Sequence, residues 1–111
     1  MITSTDRNFK QTRTTHFTKK PASLRILVTD NDTDVIVSDV TFKVGDTAEW
    51  GSYNLRYLGT IVSITPRSVV IDRGPCYSQK VRLKHEQFAW RNEGFDLEKV
   101  RRENYEASLS I

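Results

Sequence analysis

The sequence predicts a mostly β domain that ends in one helix. Three observations carry this reading. Leu58–Thr65 and Ser68–Asp72 are β-patterned runs joined by a Pro66-Arg67 turn. Lys80–Lys84, KVRLK, alternates, with Val81 and Leu83 on one face and Lys80, Arg82 and Lys84 on the other. After Gly94 the segment FDLEKVRREN has helical spacing behind Asp96, a residue type that caps helix N-termini.

The chain has 111 residues, which is the length of one domain with a short appendage. A chain of this length buries roughly two thirds of its unfolded surface, so one core needs no covalent staple. Hydrophobic residues make up 37% of it, and the deficit is concentrated in residues 1–20. Cys76 is the sole cysteine, so neither an internal disulfide nor a cysteine-based metal site can form. The first residues lack the apolar core of a secretion signal, and no apolar run is long enough to cross a membrane; the expected location is the cytoplasm.

Residues 1–20 carry five Lys or Arg against one Asp, and no strand or helix period is sustained there. The expectation is a flexible basic N-terminal arm ending near Pro21, followed by a single folded domain over 21–111. Within the arm, Phe9 and Phe17 among cations could stack on bases, or Phe17 could dock on the edge of the core.

Leu24–Thr29 is a short β run, and the DNDTD segment at 30–34 is a turn because Asp and Asn bond their own backbone. Val35–Val37 resumes the pattern, so a hairpin is expected across the turn. Asp30, Asp32 and Asp34 copy the first ligand spacing of a calcium loop. Val35 stands where that loop needs Gly, however, and Thr41 where it needs Glu, so no metal is expected. Val40, Phe42 and Val44 share one face, Gly45-Asp46 breaks the run, and Thr47–Trp50 forms the next strand. GSYN then opens a loop to Leu55. In Leu58–Thr65, Gly59 marks a close approach, Ile61 and Ile64 point inward and Val62 is half-buried. Gly74-Pro75 opens a loop reaching Gln79. HEQFAWRN, 85–92, fits either strand alternation or a helical turn. The helix near 96–105 places Leu97, Val100 and Tyr105 on one face, and at that length it needs docking to persist.

The layout of residues 42–84 resembles an SH3-like small barrel of the KOW or Tudor-like kind. The residues that carry the resemblance are Val44-Gly45-Asp46, a long loop, Gly59, Ile61, Val62 and Ile64, a short turn, Val69–Ile71, and a further strand over 81–83. The resemblance implies an SH3-like, partly open antiparallel barrel of five or six strands, and a module that binds macromolecules through its loops and one exposed sheet face. The loop at 51–55 lacks the spaced aromatics of a methyl-lysine cage. The make-up as a whole also resembles small bacterial and phage-encoded proteins.

Candidate chemistry is sparse. His16 and His85 lie far apart; Cys76 and His85 form no known nucleophile signature; the carboxylates are scattered, and the glycines are isolated at turns. The chain is therefore expected to be non-enzymatic, with no cofactor. Residues 51–92 carry seven Lys or Arg against two acids, whereas 21–50 carry two against six. These blocks either pair across the fold or steer a polyanion to one face. The candidate binding residues are Tyr53, Arg56, Tyr57, Arg67, Arg73, Lys80, Arg82 and Lys84. Outward cations on one strand could meet phosphates, with nearby tyrosines as stacking surfaces, or could simply keep an edge from aggregating. Trp50 and Trp90 are expected in the core. The sequence favours an accessory or regulatory binding module with a protein partner, then RNA or DNA, and no membrane; an exposed edge strand would permit a homodimer.

Overall fold

A computed structural model describes residues 1–5, 10–51 and 56–109. Among the described residues, eight strands form two four-stranded antiparallel sheets, each connected in sequence order. The first contains β1 (Ile2–Thr5), β2 (Gln11–Lys19), β3 (Ala22–Asp30) and β4 (Val35–Lys43). The second contains β5 (Thr47–Glu49), β6 (Leu58–Ile64), β7 (Ser68–Asp72) and β8 (Val81–Lys84). Helix α1 (His85–Arg91) follows β8 directly, and α2 (Leu97–Leu109) ends the described chain. Neither sheet is closed, so the expected single barrel of five or six strands gives way to two sheets sharing one core. No helix among the described residues is long and apolar enough to cross a membrane.

The change comes largely from the N-terminal residues. Residues 11–19, expected within a flexible arm, form β2 and pair with β3 over its full length. Threonine is β-branched and suits a pleated strand, so a polar, Thr-rich run can pair as well as an apolar one. Its inward residues are Arg13, Thr15 and Phe17, opposite Val28, Ile26 and Leu24. Thr15 is buried, and Phe17 packs against the core and stacks on His85 at 6.0 Å. Arg13 is buried as well, paired with Glu93 and lying 3.5 Å over the Trp90 ring. Asp6–Phe9 lie outside the described residues.

The core combines Leu24, Ile26, Val28 and Phe42 from the first sheet with Ala48, Ile61, Ile64, Val69, Ile71 and Leu83 from the second. Phe88 and Ala89 of α1 complete it, Phe88 meeting Phe42 edge-on at 5.0 Å. The ambiguous 85–92 segment is thus helical over His85–Arg91. Gln87 accepts the Lys84 backbone N–H at 3.0 Å to hold its start, while His85 is buried with Nε2 2.7 Å from the Thr65 carbonyl. At its end, the buried Asn92 amide acts as a substitute strand. Its Oδ1 accepts the Glu49 N–H at 2.7 Å and its Nδ2 donates to the Glu49 carbonyl at 3.2 Å. Part of the outer edge of β5 is satisfied this way without a ninth strand.

Two bulges adjust the strands. Between Ile61 and Ser63 the pairing with β7 skips Val62, which lets Ile61 and Ile64, three apart, both face inward and leaves Val62 39% exposed. Between Val28 and Thr29 the pairing with β4 skips Val37, and Val35–Val37 at the hairpin tip stay exposed. The DNDTD turn closes as expected, with the Asp34 N–H on the Asp30 carbonyl and the Asp32 N–H on the Asp30 carboxylate. Val44, expected on the face of Val40 and Phe42, is exposed because β4 ends at Lys43 and the turn at Gly45 (φ +98°) follows. Asp96 caps α2 through the Lys99 N–H, 3.1 Å. Only Val100 of that helix is buried; Tyr105 points to solvent instead of joining the docked face.

Candidate functional site

The second sheet and its loops carry most of the sequence-predicted site residues: Arg82 and Lys84 on the solvent side of β8, Arg67 in the turn at one end, and Arg73 and Lys80 in the loop at the other. Order starts at the β6–β7 turn, where the Thr65 hydroxyl accepts the Arg67 and Ser68 N–H groups at 3.3 and 3.1 Å. Arg67 is held exposed at that end. Antiparallel to β7, β8 pairs Ser68 with Lys84, Val70 with Arg82 and Ile71 with Val81. Leu83 is buried while Arg82 and Lys84 face solvent, as the KVRLK alternation predicts, although β8 itself begins at Val81. Arg82 Nη1 donates to the Ser68 hydroxyl at 3.4 Å. Arg82 and Lys84 stand ~7 Å apart along the strand.

At the other end of β8, the loop from Arg73 to Lys80 is fixed by its own backbone. Gly74, at φ +108°, donates its N–H to Asp72 Oδ1 at 2.9 Å and accepts the Tyr77 N–H on its carbonyl at 3.2 Å. Arg73 Nε donates to the Gln79 carbonyl at 2.8 Å, which places its guanidinium 4.6 Å over Tyr77 and 5.5 Å from Trp50. Trp50 stacks on Tyr57 at 4.7 Å and meets Tyr77 edge-on at 5.5 Å. Tyr57 and Tyr77 remain 38% and 44% exposed. A groove of about 620 Å³ runs beside this cluster, lined by Thr60, Val62, Asp72, Gly74, Pro75, Tyr77, Ser78 and Lys80.

Electrostatics separate two kinds of arginine. Arg56 is committed within the fold: its guanidinium meets Glu49 at 3.5 Å and Glu103 at 3.3 Å, and its backbone is bonded on both sides by the Asn104 amide. Burial pushes the Glu49 carboxyl up, Arg56 opposes this and Glu103 adds to it. Arg25 and Asp39 form an exposed two-point pair, whose hydrogen bonding holds the Asp39 carboxyl low. By contrast, none of Arg67, Arg73, Lys80, Arg82 and Lys84 forms an ion pair among the described residues. The charged blocks therefore pair only in part.

The structure thus groups Tyr57 and Arg73 around Trp50, sets Lys80 beside them, and continues through Arg82 to Lys84 and Arg67. Arg56 stays apart, tied to α2. Tyr53 lies outside the described residues. Trp50 and Tyr77 join the cluster although neither was a candidate binding residue: Tyr77 was expected only as a nearby stacking surface, and Trp50, expected in the core, packs against it while half-buried. Their position at a strand end and in a Gly-Pro loop was the available signal, since aromatics there border solvent. Trp90 is half-buried too, with Nε1 donating to the Ser4 hydroxyl at 2.7 Å. Cys76, on the groove loop, is exposed, whereas His85 lies buried beyond the far end of β8. Comparison with protein-family models, with curated proteins and with solved structures gives no match to this chain.

Proposed function

We propose that this chain is a non-enzymatic module that binds single-stranded nucleic acid across the exposed face and outer edge of the second sheet. The observation that supports this most is the run of five cations without acidic partners, Arg73, Lys80, Arg82, Lys84 and Arg67, beside the exposed Tyr57 and Tyr77. Arg82 and Lys84 follow one another along β8, Lys80 precedes them, and exposed aromatics at that end offer a surface for bases. Any SH3-like relationship would be confined to β5–β8, the sheet that carries this face. The test is fluorescence anisotropy with labelled single-stranded and duplex oligonucleotides. Single strands bind more tightly than duplex, and Tyr77→Ala weakens the single strand more than the duplex; equal weakening, or no binding of either, refutes the reading.

A second reading concerns a protein partner. β4 is a long edge strand, and Val35, Ile36 and Val37 are each more than half exposed at its tip. An added strand from a second copy would cover them. Light scattering during gel filtration then gives a dimer that Val37→Lys converts to a monomer; a monomer at every concentration removes this reading.

A further inference from the structure

The groove beside Tyr77 has a chemistry more specific than charge. Three of its lining residues, Val62, Pro75 and Tyr77, are apolar or aromatic and exposed, a setting for a flat ring. Thr60 and Ser78 add hydroxyls, and Lys80 adds a cation at the rim. Among the described lining residues Asp72 is the sole carboxylate. Its Oδ1 takes the Gly74 N–H, but an ionised carboxylate has about four acceptor sites and no donor. A ligand edge that faces Asp72 is therefore favoured when it carries hydrogen-bond donors.

We infer that this groove is a base pocket that selects an amino-bearing base of the bound strand, cytosine over thymine. The inference rests on the single-strand reading above. Cytosine presents its N4 amino group as a donor, while thymine presents a carbonyl oxygen at the same position. Against Asp72 the first makes a charge-assisted hydrogen bond and the second sets two acceptors face to face. Ring stacking on Tyr77 is common to both bases, and Lys80 serves the adjoining phosphate in either case. Discrimination thus falls on one side chain, while general affinity falls on the cation file.

The experiment is an anisotropy titration of the full chain with oligodeoxycytidylate and oligothymidylate of equal length, for the wild type and Asp72→Asn. Wild type binds the cytidylate roughly five- to a hundredfold more tightly. Asn can keep an oxygen on the Gly74 N–H while turning an NH₂ to the groove, so Asp72→Asn abolishes or inverts the preference without losing the loop. Cys76 on the groove loop gives a readout in the wild type alone: cytidylate slows its alkylation by a maleimide more than thymidylate does. Equal affinity of the wild type for both oligonucleotides overturns the pocket and leaves the single-strand reading standing. Binding of neither overturns both.

Discussion

Gly59 sits where the second sheet has no room for a side chain. A methyl group there would lie 2.5 Å from Ile71 Cγ2, 2.6 Å from the Asp72 carbonyl oxygen and 3.1 Å from Trp50 Cδ1. Two of these neighbours cannot yield cheaply, one being backbone and the other a fully buried side chain. Gly59→Ala should therefore lower the unfolding free energy by about 1–3 kcal/mol in urea titration, against an expected gain had the site been open. Glu49 makes a second residue-scale claim. Its folded carboxyl titrates above the ordinary value of 4.5, chiefly because burial disfavours the charge. Ionised Glu49 is thus less favourable folded than unfolded. Its contribution to stability is fully present below 4.5 and is lost as pH rises through the raised value. Glu49→Gln should match or exceed the wild-type melting temperature at pH 7 and lose that advantage as pH falls towards 4.5. A difference that does not change with pH contradicts the assignment.

At the scale of elements, β2 is the strand on which the first sheet depends. It separates β1 from β3 and covers Leu24, Ile26 and Val28 with Phe17, Thr15 and Arg13 across the pairing. Deleting residues 1–19 should abolish the cooperative thermal transition, because an apolar strand would be left with an open edge; a flexible arm would be removed without effect. The sequence made some of these elements readable and hid others for physical reasons. KVRLK, Ser68–Asp72 and the DNDTD hairpin could be read because alternation and turn chemistry act over a few residues. QTRTTHFTK could not be read by hydrophobicity, since its inward positions are Arg, Thr and Phe, and its β character lies in threonine shape and in pairing with a distant run. The 85–92 segment was ambiguous because Phe88 and Trp90 fit either period, and the Lys84–Gln87 bond that starts α1 is a matter of local geometry.

For the whole molecule, the organising contrast is between cations consumed by the fold and cations left to solvent. Arg13 pairs with Glu93, Arg25 with Asp39, and Arg56 with Glu49 and Glu103; Glu93 and Glu103 come from far along the chain. Charge counts locate the basic segment but cannot separate Arg56 from Arg82, because the α2 carboxylate that engages Arg56 is brought there only by the fold. The cation file and the tyrosines were legible as residue types and as strand alternation; the Trp50–Tyr57–Tyr77–Arg73 cluster was not, since it joins a strand end to two loops. The most direct test of the account is the salt dependence of single-strand binding. Engagement of the five cations predicts a log–log slope of about −3.5, which falls in magnitude by about 0.7 for Arg82→Ala or Lys84→Ala and stays unchanged for Arg56→Ala. A slope near zero, or an equal loss for Arg56→Ala, would contradict it.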